Sequence, residues 1–258
     1  MPIYPLRKLQ GFSSGNKGFS LVEMSIVIVI IALLVSAVMK GRSLIDEAKM
    51  RAIVSEVTQH KLALNSFYAK YNQYPGDFNQ AVANWTNATP TQNGDNNGRI
   101  EFKNTAGTPV YEGYRAWEHL SYARMVNNTY LGTQTTSAAA VETDVPLSKS
   151  GGGYLLDYSS SATAYDGTTA NTYGLREKNI MLLGMPVATT VSPVLASGIL
   201  TPPQAMSIDT KMDDGIPTKG TMRGADGNGA TAGNCITGDI YTISLEGKDC
   251  IMIFKATN

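Results

Sequence analysis

Lys17-Gly18-Phe19-Ser20-Leu21-Val22-Glu23-Met24 opens an apolar run that continues to Met39, and the reading of the whole chain starts there. Over 24–39 only Ser25 and Ser36 interrupt the hydrophobic sequence. With 19–22 added, the segment reaches the ~20 residues that a helix needs to span a bilayer. Glu23 breaks the pattern. A lone carboxylate at membrane depth costs a few kcal/mol, so an acid here is a functional hypothesis that calls for a cationic partner. The alternative is an acid that snorkels to the headgroup edge.

Gly18 follows Lys17 and precedes Phe19 and the apolar run, and this arrangement resembles the processing site of type IV pilins and type II secretion pseudopilins. The resemblance covers residues 17–39, about a tenth of the chain, and the overall layout. It implies cleavage by a prepilin peptidase after Gly18 on the cytoplasmic side, N-methylation of the new terminal Phe19, and a glutamate, Glu23, as fifth mature residue. The charges then have a physical use. Cleavage creates an ammonium group at Phe19, and in a bundle of such helices Glu23 of one subunit can pair with the amino terminus of a neighbour offset by about one helical turn. Such a pair fixes register more than it adds stability.

The 258 residues carry 21 basic and 21 acidic side chains, which leaves no electrostatic footprint for nucleic acid. Removing residues 1–18 takes away Arg7, Lys8 and Lys17 and no acid, so the mature chain is formally −3. An ordinary secretory signal fits poorly, because the run is longer than a typical h-region and Ser36-Ala37-Val38-Met39-Lys40-Gly41 is a poor cleavage site. Charges flank the span on both sides, so counting them leaves topology open. The family resemblance places the leader in the cytoplasm and the head outside. Cys235 and Cys250 allow one intramolecular pairing, which in an exported domain reads as a disulfide that stabilises by ~3 kcal/mol in the chain-entropy model. Two unpaired buried thiols are the alternative. A metal site on them is disfavoured by the missing CxxC spacing and by the distance in sequence to His60 and His119.

Beyond the apolar run, Ile53, Val57, Leu64, Phe67 and Tyr71 recur at helical spacing, and no proline occurs before Pro75, so the helix is expected to run from 19 to about 71, ~80 Å if unbroken. Tyr74-Pro75-Gly76-Asp77 then ends it. A weak helical patch is expected over 79–85 and a second helix over 116–126, with His119 a surface or capping residue. Segments 133–143 and 159–172, rich in Ser, Thr and Ala, read as loops. Strands are expected over 153–158 and 179–187. Thr201-Pro202-Pro203-Gln204 combines an N-cap threonine, a proline at the first helical position and a capping-box glutamine, for a helix ending near Gly215. Residues 219–233 read as a glycine-rich surface loop. Residues 239–245 and 250–255 read as a β-hairpin.

Asn93-Gly94-Asp95-Asn96-Asn97-Gly98-Arg99-Ile100-Glu101 resembles the first half of an EF-hand-type loop, with Asn93, Asp95, Asn97 and the Arg99 position as calcium ligands. Asn104 stands where the closing glutamate is expected, and a plain Asn-Gly turn is the competing reading. Asp209, Asp213 and Asp214 crowd a helix C-terminus, which is electrostatically disfavoured and invites a cation or a nearby basic loop, although solvated surface acids are the favoured reading. A membrane-anchored hydrolase using carboxylates such as Asp213 and Glu101 finds no support, since after the leader there is no GxSxG elbow, HExxH pair or phosphate loop.

The sequence thus predicts an α+β chain: a long N-terminal helix, membrane-spanning in its first half, packed on a small β-sheet head with additional short helices. The expected divisions are a leader at 1–18, a transmembrane helix at 19–39, its periplasmic continuation at 40–73 and a globular head at 74–258. The resemblance implies a structural, non-enzymatic subunit of a type IV pilus or a secretion pseudopilus, with its head size favouring a minor component. A filament-tip adhesin is the alternative. Implied partners are the prepilin peptidase and methylase, other pilin or pseudopilin subunits, an inner-membrane assembly platform and the lipid bilayer, with calcium the one candidate cofactor.

Overall fold

The computed structural model describes residues 18–86, 92–102, 111–132, 139–159, 175, 178–187 and 196–257. Contacts divide the chain into two compact units, Met1–Asp46 and Glu47–Asn258. Helix α1 spans Leu21–Tyr71, 51 residues, because no proline interrupts it and Gly41 alone does not stop a helix. Asn72 follows at φ 54°, the left-handed conformation that asparagine tolerates and that commonly closes a helix. In the first unit, the large apolar side chains from Phe19 to Met39 are 47–86% exposed. In the second unit, Met50, Ile53, Val57, Ala63, Leu64 and Phe67 of α1 are buried. The helix thus changes from one that is apolar all round to one with a single buried apolar stripe.

Phe67 packs edge-on against Phe78, at 5.7 Å between ring centres, and near Trp85 at 6.3 Å. The turn between them is set by Gly76 at φ 87°, where an added Cβ would run into the Glu112 carbonyl. Helix α2 is a single turn, Ala81–Asn84. Helix α3 spans Glu112–Tyr122, four residues earlier at its start than the sequence suggested and ending before Val126. Gly113 in the first turn, a poor helix former, hides that start from a propensity reading. Arg124, at φ 57°, ends the helical course.

The sheet is antiparallel throughout. Its strands are β1 Gly153–Ser159, β2 Lys178–Pro186, β3 Ala196–Ser197, β4 Met222–Asp226 and β7 Cys250–Lys255, ordered β1-β2-β7-β4 with β3 beside β2. Leu182 faces both Leu155 and Ile253 across the ladders, so the middle of β2 lies in the core. Helix α4, Pro202–Met212, begins as its sequence predicts. The Thr201 hydroxyl accepts from the Gln204 N–H, and the Gln204 side chain accepts from the Thr201 N–H.

Two expectations at the C-terminal end are corrected. Residues 222–226, assigned to a surface loop, form the buried strand β4. Met-Arg-Gly-Ala-Asp lacks an alternating apolar pattern because two of its members are polar, and both are buried with backbone partners. Arg223 donates to the carbonyls of Lys219, Gly220 and Met222, and Asp226 accepts from the N–H groups of Gly233 and Cys235. Gly224 lies under the Tyr241 ring, where any side chain would collide. The expected hairpin also fails. β6, Ile240–Tyr241, pairs with β5, Ile236–Thr237, whereas β7 pairs with β2 and β4. Five of the six β7 residues are buried, as in a strand covered on both faces, and its two edges are taken by β2 and β4. Cys235 and Cys250 are joined in a buried disulfide with Cα atoms 5.0 Å apart, which ties the β5–β6 segment to the start of β7. Of the two Ser/Thr-rich segments, 133–138 and 160–172 lie outside the described residues.

Candidate functional site

Gly18, Phe19 and Ser20 precede the helix, and Phe19 is 78% exposed. The Ser20 carbonyl accepts from the Met24 N–H at 3.2 Å, which makes Ser20 the N-cap of α1. Its hydroxyl accepts from the Glu23 N–H at 3.2 Å, and the Glu23 carboxylate accepts from the Ser20 N–H at 2.8 Å. This is a reciprocal capping box, Ser-x-x-Glu, and Glu23 therefore has hydrogen-bond partners in its own helix. The sequence reading, occupied with a cation for Glu23, missed it, although the spacing was there to be read. Ser25 and Ser36 are settled the same way, donating to the carbonyls of Val22 and Ala32. Each polar interruption of the apolar segment is thus bonded within α1, as a helix in lipid requires. α1 is long and apolar enough to cross a membrane.

The side chains read as calcium ligands each have partners within the protein. Asn93 Oδ1 accepts from the Val82 N–H at the start of α2. Asn97 Oδ1 accepts from the Arg99 N–H, and its amide donates to Asp95 and Glu101. The Arg99 guanidinium lies over the Tyr158 ring at 4.6 Å. Asp95 alone joins an acidic group, with carboxylate oxygens of Asp77 and Glu112 all within 4.8 Å of one another. The sequence reading missed these two because they come from a turn and from α3, far from the loop. Asp77 accepts from the N–H groups of Asn97 and Gly98, at 2.8 and 2.9 Å. Glu112 accepts from those of Asp95 and Glu101. Burial, with the Asp95 carboxylate beside it, pushes Asp77 up to about 7 against the opposing backbone N–H bonds. Three such oxygens suit a hard cation in type, but here they hold the loop 93–101 onto α3 and the 75–77 turn.

The second acidic group is likewise accounted for by local donors. Asp213 accepts from the N–H groups of Thr221 and Met222, and Asp214 from that of Ile216. Asp209, raised above the ordinary carboxyl range by burial, accepts from the Tyr241 hydroxyl at 2.7 Å and the Gly215 N–H at 3.2 Å. The disfavoured acids beyond the α4 C-terminus are thus held by the turn that leads into β4. Neither histidine is a surface residue. His119 is fully buried, its Nδ1 accepting from the Gly76 N–H at 3.0 Å while Nε2 meets the Gln92 carbonyl at 2.8 Å. That pattern fixes the proton on Nε2. His60 lies edge-on to Trp117 and Tyr154, at 5.0 and 4.7 Å. Burial lowers both imidazoles to about 4.

Residues 13–39 match the family model of the prokaryotic N-terminal methylation motif. The matched stretch contains Gly18, Phe19, Ser20 and Glu23, so the class this end defines is a chain with a methylation-motif N-terminus. Among solved structures, the chain is similar to the major type IV pilin PilA1 from Clostridium difficile, at 12% identity and a TM-score of 0.35, over 84% of this chain and 99% of that one. No curated protein matches.

Proposed function

We propose that the chain is a structural, non-enzymatic pilin-like subunit. A prepilin peptidase removes residues 1–18, Phe19 is N-methylated, and the apolar part of α1 holds the protein in the bacterial inner membrane with the second unit in the periplasm. Assembly with like subunits then exchanges lipid contacts for contacts between helices, giving a type IV pilus or a type II secretion pseudopilus, in which a head of this size suits a minor subunit. The observation that carries this reading is the methylation motif at 13–39, with Glu23 four residues after Phe19 in an apolar helix whose side chains are exposed. During assembly the Phe19 ammonium of a neighbour meets the Glu23 carboxylate. Both have to be fully charged and well aligned for the pair to offset its desolvation.

Glu23→Gln tests this assignment. Glutamine retains the capping geometry and removes the charge. The variant is expected to insert and lose its leader but to be depleted from sheared filaments. Incorporation at the unsubstituted level contradicts the assignment.

A further inference from the structure

We propose that Ser20 is a positioning residue for leader removal, because its side chain fixes the first turn of α1 and thereby keeps the Gly18–Phe19 bond outside the helix. The proposal rests on the reading of that bond as the processing site.

A peptidase needs its scissile peptide in an extended form, with carbonyl and N–H free to meet the enzyme. A helical first turn takes up the carbonyl and fixes the peptide in a non-extended form, while its N–H stays free. Gly18 and Phe19 lie outside α1, and Gly18 has open space where a side chain would stand. What holds the boundary there is the box made by Ser20 and Glu23. The first N–H groups of a helix have no partner inside it, and here two are taken up by side chains: that of Glu23 by the Ser20 hydroxyl and that of Ser20 by the Glu23 carboxylate. If the hydroxyl is removed, the nearest replacement for the Glu23 N–H is the Phe19 carbonyl, four residues back. Accepting that bond makes Phe19 the cap and draws the scissile peptide towards the helix. One further step would pair the Gly18 carbonyl with the Val22 N–H.

Ser20 and Glu23 therefore separate two steps. Ser20 serves processing through its hydroxyl, and Glu23 serves assembly through its charge while only its acceptor oxygen is needed for processing. The test is a time course of leader removal by prepilin peptidase on the full-length chain in membrane vesicles, comparing the unsubstituted chain with Ser20→Ala, Ser20→Thr and Glu23→Gln. Ser20→Ala is expected to be cleaved about fivefold more slowly, the size typical of a lost N-cap. Ser20→Thr, which restores a hydroxyl, and Glu23→Gln, which preserves the box, are expected near the unsubstituted rate. Once cleaved, Ser20→Ala is expected to enter filaments, whereas Glu23→Gln is not. Ser20→Ala cleaved at the unsubstituted rate overturns the proposal, as does Ser20→Thr cleaved as slowly as the alanine variant, since recognition of side-chain size would then be responsible. An unsubstituted chain that is never cut overturns the processing reading, and this proposal with it.

Discussion

His119→Leu is expected to remove one proton's worth of pH dependence from the stability of the second unit. The unfolded chain takes up a proton on His119 near 6.5, whereas burial holds the folded imidazole neutral down to about 4. Between those values the unfolded state binds more protons, so acid favours unfolding. The stability that neutral His119 contributes is complete above 6.5, declines as pH falls through the window and is gone below about 4. A gap of this size, at 1.36 kcal/mol per pH unit, amounts to about 3 kcal/mol. No discount for solvent applies, because the ring is fully buried. Asp77, raised to about 7, contributes with the opposite sign, its share being lost as pH rises. It is present in both chains, so comparing them isolates the histidine. Trp85, 5.6 Å from His119 between ring centres, and the fully buried Trp117 serve as fluorescent reporters. Urea titrations of the full chain in mild detergent, at half-unit steps from pH 4.5 to 7, give the curves. His119→Leu lowers stability at neutral pH by on the order of 1–3 kcal/mol, because the Gly76 N–H loses the acceptor it has in His119. Its curve is then flatter by up to 1.36 kcal/mol per pH unit below 6.5. Parallel curves would refute the argument that His119 is held neutral by burial.

Thr201→Ala removes the hydroxyl that accepts the Gln204 N–H, and chemical unfolding should show a loss of about 1 kcal/mol. Thr201→Ser should recover most of it. Replacing Cys235 and Cys250 together by serine opens a loop of sequence separation 15. The denaturation midpoint should fall by an amount equivalent to about 3 kcal/mol, and equal midpoints would show that β5, β6 and β7 are held by packing alone.

What was legible in the sequence was local. The Thr201 capping box, the proline-free course of α1 and the buried face through Ile53, Val57 and Leu64 all depend on residues within a few positions of one another. β4 was not legible, because Arg223 and Asp226 bond to backbone groups of the loops flanking the strand, so a buried strand is written in residues that read as a loop. The hairpin expected around 246–249 failed for a related reason. An apolar β7 signals burial but not which partners provide it, and those partners, β2 and β4, are fixed by the whole sheet. His119 appeared to be a surface residue because a lone polar ring on a helix usually is. Its two partners, Gly76 and Gln92, come from segments that only the fold brings together. The loop at 93–101 showed its acids in sequence, but the companions of Asp95 are Asp77 and Glu112. The Ser20–Glu23 box was visible as Ser-x-x-Glu ahead of an apolar run. A search for a distant countercharge passed over the serine three residues away.

Mass spectrometry of the amino terminus of the chain purified from its native membrane tests the account most directly. The expected species begins at Phe19 and carries one methyl group on its terminal nitrogen. A chain that begins at Met1 has no ammonium at Phe19, one that begins beyond Met39 has lost Glu23, and either contradicts it.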